Sequence, residues 1–224
     1  TAITQHEHLN FRVLNICDEI IVQSQIAYEV ISKKLPDKNI SLVYSGVDIN
    51  VFSPGRKKYD LIVPSVPYDV KDFDSRGINA VLDLIENNNF SAVIIFRSQA
   101  AYKDIKKRGL KNVKLINKTL SDKELSDVMG KCRVMPLFYS EPPEVPLSAV
   151  EGLACGCSIV CSDKIGIKDI IKENNAGMIA KSNNELCKSA KILVKKDLSK
   201  KARKTAEKYF DSKNMINGYH SFKI

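Results

Sequence analysis

The 224-residue chain lacks the patterns that mark membrane-spanning, secreted and metal-binding proteins. No segment approaches the roughly 20 apolar residues that a transmembrane helix needs, and no secretory signal is visible. The three histidines lie near the two ends of the chain, at positions 6, 8 and 220, and form no metal-binding constellation. There is no internal repeat and no low-complexity tract. From the positions of the histidines we expect no metal site. With 44% apolar and 27% charged residues, the composition is that of a soluble globular protein.

Cysteine is present, but not in the spacing of a zinc site or a small disulfide scaffold. The six cysteines lie mostly inside apolar runs, at positions 17, 132, 155, 157, 161 and 187. One residue separates Cys155 from Cys157, which is not the redox spacing, so a packed pair in the core is the favoured interpretation. Thiols of this kind are typical of a reducing compartment. We therefore predict a cytoplasmic protein.

The charge balance is basic, since 35 lysines and arginines face 26 acidic residues and give a formal net charge of +9. A basic surface favours anionic partners such as nucleotide phosphates, nucleic acid or an anionic membrane. A lysine-rich surface that contacts only solvent explains the same charge equally well. Nothing in the sequence resembles a DNA recognition helix or an aromatic RNA-binding motif, so we expect no nucleic-acid partner.

From Tyr59 onwards, segments with the pattern of strands alternate with segments that have the pattern of helices. The stretch 91–96 is a nearly continuous apolar run, typical of a strand buried in a parallel sheet. Residues 121–124 form a capping-box pattern, which predicts a helix start. The predicted strands are 59–63, 91–96, 113–116, 134–138, 158–161 and 177–180, and the predicted helices are 77–85, 103–108, 121–129, 147–154, 167–172, 184–194 and 199–210. This alternation predicts an α/β fold with a Rossmann-like, doubly wound parallel sheet.

The first 44 residues add a shorter series of elements. Their patterns predict helices at 8–17 and 26–35 and strands at 19–24 and 40–44.

The segment 134–163 is the predicted active site. It reads as a strand, a loop with three prolines and two glutamates, a helix from Leu147, and a second strand. The loop cannot continue a helix or a central strand, because proline fixes φ and has no N–H. Gly156 stands where the end of a helix favours a positive φ. Polar groups at the C-terminal end of such a strand are where open α/β sheets bind ligands.

The sequence from Glu141 to Asp163, EPPEVPLSAVEGLACGCSIVCSD, resembles the signature of GT-B-fold glycosyltransferases of family 4. In that signature one glutamate opens a loop, a second follows eight positions later, and the pattern E-A-x-A-C-G-x-P-V-V continues from it. Glu151 and the GLACG that follows it match the second half. At the first position this chain has Pro143, with Glu144 and Glu141 as the neighbouring acids.

A second string of residues resembles the same family. The matching positions are Cys17–Asp18, Ile20–Ile21, Ser24, Gly46–Val47–Asp48, Phe52 and Pro54. The resemblance implies that residues 1–44 are the tail of an N-terminal acceptor-binding domain and the hinge, with most of that domain outside this chain. It also implies that residues 45–198 are a Rossmann-like donor-binding domain and that residues 199–224 form a helix crossing back towards the N-terminal domain.

The resemblance further implies a retaining, metal-independent hexosyltransferase. Its donor would be a UDP- or GDP-linked nucleotide sugar, with no further cofactor, and its acceptor a glycan, a lipid or a protein. This chain would supply the donor-binding half. The alternative from another class is a non-catalytic or partner-dependent α/β module that binds nucleotide or nucleic acid.

The carboxylates of this region receive roles from the resemblance. Glu151 would accept hydrogen bonds from the ribose diol of the nucleotide, as acidic residues do in other dinucleotide-binding folds. The alternative is a solvated glutamate near a helix N-terminus. Glu144, with Glu141 as its substitute, would contact the donor sugar or support an oxocarbenium-like transition state. The alternative for this pair is an exposed loop acid.

The diphosphate of the donor would be bound by backbone groups and cations. The N–H groups of Leu147, Ser148 and Ala149 lie at a helix start, where anions bind. Arg76, next to Gly77, is similar to the K-G of the family and suits a pair of phosphate oxygens. We expect Lys71 to be the second cation. Arg76 could instead be an ordinary surface charge.

Three further positions are predicted at the same ligand-binding edge. The loop that begins at Asn117 matches the region that contacts the nucleotide base, chiefly through backbone groups. Gly166 matches a family glycine that lets the backbone approach the sugar, although a simple turn glycine explains it as well. Arg97 follows a buried strand and is as consistent with a surface role as with a ligand contact.

The two ends of the chain are expected to make contacts of their own. The basic helix 199–210 would first pack against the N-terminal part, and the second interpretation is peripheral binding to anionic lipids at the inner membrane face. The strand 19–24 is expected to have lost its sheet and to leave an apolar edge. We therefore predict self-association through residues 1–44.

Overall fold

The computed structural model describes residues 2–4, 10–140 and 145–221, and it contains two parallel sheets. The small sheet has the order β1-β2-β3, with strands β1 (Ala2–Thr4), β2 (Glu19–Val22) and β3 (Asn39–Leu42). The large sheet has the order β6-β5-β4-β7-β8-β9, with strands β4 (Tyr59–Val66), β5 (Ala92–Phe96), β6 (Val113–Ile116), β7 (Cys132–Leu137), β8 (Ser158–Ser162) and β9 (Gly177–Ala180).

Helices connect the strands and flank both sheets. In chain order they are α1 (Phe11–Asn15), α2 (Gln25–Lys34), α3 (Ile78–Asn88), α4 (Gln99–Lys107), α5 (Asp122–Met129), α6 (Leu147–Ala154), α7 (Lys168–Glu173), α8 (Asn183–Lys195), α9 (Ser199–Tyr209) and α10 (Ser212–His220). A short 3-10 turn, Val70–Asp72, precedes α3. Among the described residues, no helix is both long and apolar enough to cross a bilayer.

The predicted α/β fold is confirmed, because helices cover both faces of the large sheet. Side chains alternate along β7, so that Val134 packs on one face and Met135 on the other. The face of Val134 is covered by α3, α4 and α8, and the face of Met135 by α5, α6, α7 and α9. Such burial on both faces explains why β5 is a continuous apolar run.

One expectation about the small sheet is wrong. The strand 19–24 was expected to leave an apolar edge, but β2 is the central strand, paired on one side with β1 and on the other with β3. The sequence pattern did not predict β1, and its pairing covers the edge of Ile20–Val22. The premise of the predicted self-association therefore fails, and self-association itself stays a prediction.

The C-terminal helices pack against different parts of the molecule. The predicted basic helix corresponds to α9, which packs on α6, and a further helix, α10, follows it. Met215 and Tyr219 of α10 pack against Ile21 and Val43 beside the small sheet. The structure thus has two helices, α9 and α10, where the resemblance implied one crossing helix. The domain boundaries remain a prediction.

Candidate active site

The site lies where the strand order of the large sheet reverses. From β4 the chain proceeds outwards to β5 and β6, and from β7 it proceeds the other way to β8 and β9. The loops after β4 and β7 therefore diverge and leave a crevice at the C-terminal ends of these strands, which is the usual ligand site of such sheets. The backbone N–H of Ser140 donates to the carbonyl of Ser75 over 3.0 Å and joins the two loops.

Gly77 sets how closely these two loops approach. Its φ is +64°, and a Cβ built there would lie 1.8 Å from the carbonyl oxygen of Phe138. Only a residue without a side chain fits this position and conformation. The contact fixes Arg76, the preceding residue, at the crevice.

Arg76 lies over the ring of Tyr139. The guanidinium carbon is 5.0 Å from the ring centroid, which is a cation–π contact. Burial raises the pKa of Tyr139, and the nearby Arg76 charge opposes that rise. Tyr139 was not among the predicted site residues, and its position directly after a predicted strand is the signal that identifies it. The contact holds an exposed cation at the edge where a diphosphate would bind.

Helix α6 begins at this crevice without a side-chain cap. Its N-cap is Pro146, and the N–H of Ala149 donates to the Pro146 carbonyl over 2.9 Å. The N–H groups of Leu147 and Ser148 have no acceptor among the residues that the structure describes. Of the three predicted N–H donors, Ala149 therefore already has an acceptor, the Pro146 carbonyl. Such a helix start attracts anions through its N–H groups and its dipole.

Glu151 lies in the second turn of α6, and its side chain is partly buried. Burial, and to a smaller extent the Asp122 carboxylate, raise the pKa of Glu151 to about 7, and Arg97 opposes the rise. Asp122 begins α5 and Arg97 follows β5, so both charges belong to the C-terminal edge of the large sheet. A carboxylate placed here is the residue type that binds a ribose diol in other α/β folds.

The remaining predicted residues also occupy this edge, with differing surroundings. Lys71 is exposed, and its Nζ lies 3.1 Å from the Asp69 carboxylate. Asn117 is exposed and donates a hydrogen bond to the Gln99 side chain. Gly166 is buried in the turn before α7.

The two acids proposed to contact the sugar, Glu141 and Glu144, lie outside the described residues.

A cleft adjoins the crevice and is bordered by the segments that follow β4, β7, β8 and β9. It has a volume of about 420 Å³, and its walls include Asp74, Asp163, Lys164 and Lys181. Ser162 also lines it, and the buried Ser162 Oγ has no hydrogen-bond partner among the described residues. Sequence reasoning missed this feature, although three polar residues in a row at the end of strand β8, Ser162–Lys164, are a signal for it.

Metal-ligating side chains do not gather in the described parts of the chain. Over residues 10–140 and 145–221, no three His, Cys, Asp or Glu side chains are grouped as a metal site requires.

Comparisons with known proteins agree with this fold. The model of the family described as glycosyl transferases group 1 matches residues 75–209. An uncharacterized glycosyltransferase of Methanocaldococcus jannaschii is 25% identical over 182 residues, which cover 79% of this chain and 49% of that protein. The chain thus spans about half the length of the curated relative that it matches.

Solved structures show the same architecture at low identity. A sucrose-phosphate synthase of Thermosynechococcus elongatus has a TM-score of 0.76 at 14% identity, covering 94% of this chain and 58% of that one. Anabaena HepE, solved with UDP and glucose, has a TM-score of 0.72 at 15% identity, covering 95% of this chain and 66% of that one. At these identities the likeness shows the fold.

Proposed function

The chain belongs to the group 1 glycosyltransferase family, and from this premise we propose that it supplies the donor-binding half of a retaining glycosyltransferase. Recognition of a GT-B glycosyltransferase from the sequence is confirmed by this membership and by the structural neighbours. The proposed donor is a nucleoside-diphosphate sugar. The observation that carries the proposal is the partly buried Glu151 carboxylate, held on α6 at the reversal point of the large sheet.

Glu151 is proposed to bind the ribose of the donor. An ionised carboxylate has two oxygens and accepts one hydrogen bond from each of two adjacent hydroxyls. Because the site is partly buried, these bonds are poorly replaced by water, which favours the nucleotide. The loop that starts at Asn117 would contact the base through backbone groups, and this leaves both UDP- and GDP-linked donors open.

The diphosphate is proposed to lie across the start of α6. The N–H groups of Leu147 and Ser148 would donate to it, and Arg76 would neutralise its charge from the facing loop, with Lys71 as a second cation. This arrangement stabilises the negative charge that develops on the leaving nucleoside diphosphate without a metal ion. The tyrosine under Arg76 supports it by limiting the positions that the guanidinium can adopt.

The sugar is proposed to lie at the loop that joins β7 to α6. Glu144, or Glu141 in its place, would hydrogen-bond a sugar hydroxyl or stabilise positive charge on the anomeric carbon. Gly166 would allow the backbone to approach from the loop after β8. The bond from the anomeric carbon to the diphosphate oxygen breaks, a bond to the acceptor oxygen forms on the same face of the ring, and the proton of the acceptor hydroxyl passes to the departing diphosphate.

The acceptor, a glycan, a lipid or a protein, would be bound by an N-terminal domain of which residues 1–44 are the tail. In a variant of this proposal, the chain binds the donor sugar but needs a second protein chain for catalytic turnover. One structural neighbour is itself described as a complex, GtfA/B, with a TM-score of 0.74 at 13% identity.

The test is titration of UDP and GDP into the wild-type chain and two variants. We expect one nucleotide to bind stoichiometrically and Glu151→Ala to weaken that binding about 10- to 100-fold, since two hydrogen bonds to a charged group are lost. The control Glu86→Ala, at an exposed position on α3, should bind as the wild type does.

Two results would contradict the proposal. One is nucleotide binding that Glu151→Ala leaves unchanged. The other is no nucleotide binding together with binding to DNA that weakens steeply with salt, which would favour a non-catalytic nucleic-acid module.

A further inference from the structure

A basic surface lies at the edge of the large sheet opposite the candidate active site. We call it the basic edge, and it consists of Arg56, Lys57, Lys58, Lys131, Arg133, Lys195, Lys196 and Lys200. The first three precede β4, the next two flank the start of β7, and the last three lie at the end of α8 and the start of α9. Strand starts and the ends of the connecting helices meet at one edge of a parallel sheet, so the fold gathers these segments.

Contacts in the structure hold the three segments together. The backbone N–H of Lys58 donates to the Lys131 carbonyl over 2.7 Å. The Nζ of Lys57 donates to the Cys155 carbonyl at the end of α6 over 3.1 Å. A Cβ at Gly156 would lie 3.2 Å from Ser199 at the start of α9. The cations therefore form one surface rather than three separate groups.

Acidic residues hardly offset this charge. Within residues 54–59, 130–134 and 195–200, the sequence has these eight cations and one acid, Asp197. Its carboxylate accepts the N–H of Ser199, and Lys57 and Arg133 are close enough to help lower its pKa. Eight cations against one acid make the basic edge the place where much of the net charge of +9 is concentrated.

We propose that the basic edge docks on a membrane surface that carries anionic lipids. Six of the eight cations are lysines, whose flexible point charges suit long-range attraction, whereas Arg is the residue that binds phosphate in a fixed bidentate geometry. The C-termini of α5, α6 and α8 lie at this edge, and helix C-termini present carbonyl oxygens and not the N–H groups of a phosphate site. Anionic lipids diffuse in the membrane and gather under such a surface without a fixed pattern.

Nucleic acid fits the basic edge less well. Single-stranded binding uses aromatic platforms, but Tyr59, which follows Lys58, is partly buried, and the Nζ of Lys58 lies 5.5 Å from its ring centroid. Duplex binding uses an element that enters a groove, and the basic edge has turns and helix ends instead.

The docking surface is separate from the donor site. Strand β4, eight residues long, extends from the basic edge to the crevice, which at about 3.3 Å per residue is roughly 26 Å. A membrane at the basic edge leaves the crevice open. The exposed lysines of α9, Lys201, Lys204 and Lys208, continue the positive surface away from this edge. The basic helix considered from the sequence is thus one part of a larger surface.

The test measures binding of the full chain to sedimented vesicles. One set contains phosphatidylcholine with about one third phosphatidylglycerol, and the other contains phosphatidylcholine alone, at an ionic strength of about 0.1 M. We expect binding to the first set only, and loss of that binding at about 0.5 M salt, where screening is strong.

Two triple variants separate the surface from overall charge. We expect vesicle binding to weaken about 10- to 100-fold in the triple variant Lys195→Gln, Lys196→Gln, Lys200→Gln. The control combines Lys33→Gln, Lys103→Gln and Lys181→Gln, three exposed positions outside the basic edge, and removes the same charge. The affinity of this control for the anionic vesicles should stay within about twofold of that of the wild type. A saturating concentration of nucleotide should not change the vesicle binding of either triple variant.

Three outcomes would overturn the proposal. They are no binding to the anionic vesicles, equal weakening by the two triple variants, and displacement of the protein from vesicles by duplex DNA or single-stranded RNA at lower phosphate concentrations than the lipid. The last outcome assigns the basic edge to nucleic acid. None of them depends on whether the crevice binds a nucleotide sugar, so the two proposals fail separately.

Discussion

At Glu151, burial and ligand binding act in opposite directions on the same carboxylate. Burial favours the neutral acid and raises its pKa from the ordinary 4.5 to about 7. A ribose diol that donates two hydrogen bonds favours the ionised form instead. Binding of the nucleotide should therefore release a proton near pH 7, and the affinity should increase as the pH rises through that value.

Replacement of Glu151 by Gln is expected to change how stability depends on pH. Because the folded-state pKa is raised, the contribution of Glu151 to stability is fully present below about pH 4.5 and is lost as the pH rises through about 7. Gln does not titrate. The free energy of unfolding of Glu151→Gln relative to wild type should thus increase by about 2 to 3 kcal/mol between pH 4 and pH 8. Urea unfolding at both pH values measures this, and a difference independent of pH would contradict it.

Gly77 and Gly109 offer a matched pair for the close approach of the two crevice loops. Their φ values are +64° and +62°, but a Cβ at Gly77 would meet the Phe138 carbonyl at 1.8 Å, whereas a Cβ at Gly109 has no atom within 4 Å. Gly109→Ala should reduce the free energy of unfolding by about 1 to 2 kcal/mol, the cost of the left-handed conformation. Gly77→Ala should cost at least about 3 kcal/mol more, since a backbone atom must move.

The same pair also tests the site. The Phe138 carbonyl belongs to the loop that continues to Tyr139, so its displacement should weaken nucleotide binding in Gly77→Ala but not in Gly109→Ala. Equal losses of stability in the two variants would show that the loops do not approach as closely as described.

Among the elements, α9 depends on one partly buried arginine. The guanidinium of Arg203 donates to the carbonyl oxygens of Phe52, Ala154 and Ile49 over 2.6, 3.0 and 2.9 Å. Ala154 ends α6, and the other two precede the large sheet. One side chain therefore satisfies three carbonyls that belong to two separate segments.

Removal of this side chain should loosen α9. We expect Arg203→Gln to lower the free energy of unfolding by about 2 to 4 kcal/mol, because buried acceptors lose a charged donor. Lys204→Gln removes the same charge from the neighbouring, exposed position. This variant should change the free energy of unfolding by no more than about 0.5 kcal/mol. Denaturant unfolding compares the two. If the free energy of unfolding falls by the same small amount in both variants, Arg203 does not hold these segments together.

Elements with local signals could be predicted from the sequence, and those that depend on distant contacts could not. Helix α6 was predicted from the spacing of Val150 and Leu153, and its end from Gly156, whose φ is +71°. Strand β1 is three residues long and is defined by its pairing with β2. Helix α10 contains Gly218 and packs on residues near the other end of the chain. No spacing within these two segments reveals such partners.

The candidate site divides in the same way. The parallel sheet explains why one edge holds Arg76, Arg97, Asn117 and Glu151. The C-terminal ends of parallel strands lie on the same side of the sheet, and these residues follow such ends. That Tyr139 lies under Arg76 could not be predicted, since no local pattern joins residues of two different loops. Local helix signals placed Glu151 on α6, but its partial burial depends on how α5 and β5 pack beside it.

For the molecule as a whole, the C-terminal helices connect the two sheets. The N–H of Val47 donates to the Phe210 carbonyl over 2.9 Å, and the N–H of Ser212 donates to the Val47 carbonyl over 3.0 Å. The turn between α9 and α10 is thereby fixed to the segment that leads from the small sheet to the large one. A Cβ at Gly46 would lie 2.7 Å from the Cα of Ser212, so the approach is close along this whole stretch.

Helix α10 should control how firmly the small sheet is held. Met215 and Tyr219 cover Ile21 and Val43, and the Tyr219 hydroxyl accepts a hydrogen bond from Gln23. Met215→Ala with Tyr219→Ala should therefore uncover these residues and weaken the attachment by about 2 to 4 kcal/mol, as for other truncations of packed side chains. Hydrogen exchange of the backbone amides measures the effect strand by strand.

The expected pattern is faster exchange in β2 and β3, by at least about 30-fold, with little change in β4 and β5. The control, Ile216→Ala with Asn217→Ala, alters exposed positions of the same helix and should leave both sheets protected as in the wild type. Uniform loss of protection in both sheets would mean that the molecule unfolds as one unit. If exchange instead becomes faster in β2 and β3 only, the packing of α10 is not needed for the large sheet that carries the crevice, but it is needed to hold residues 19–42 in a fixed position relative to it.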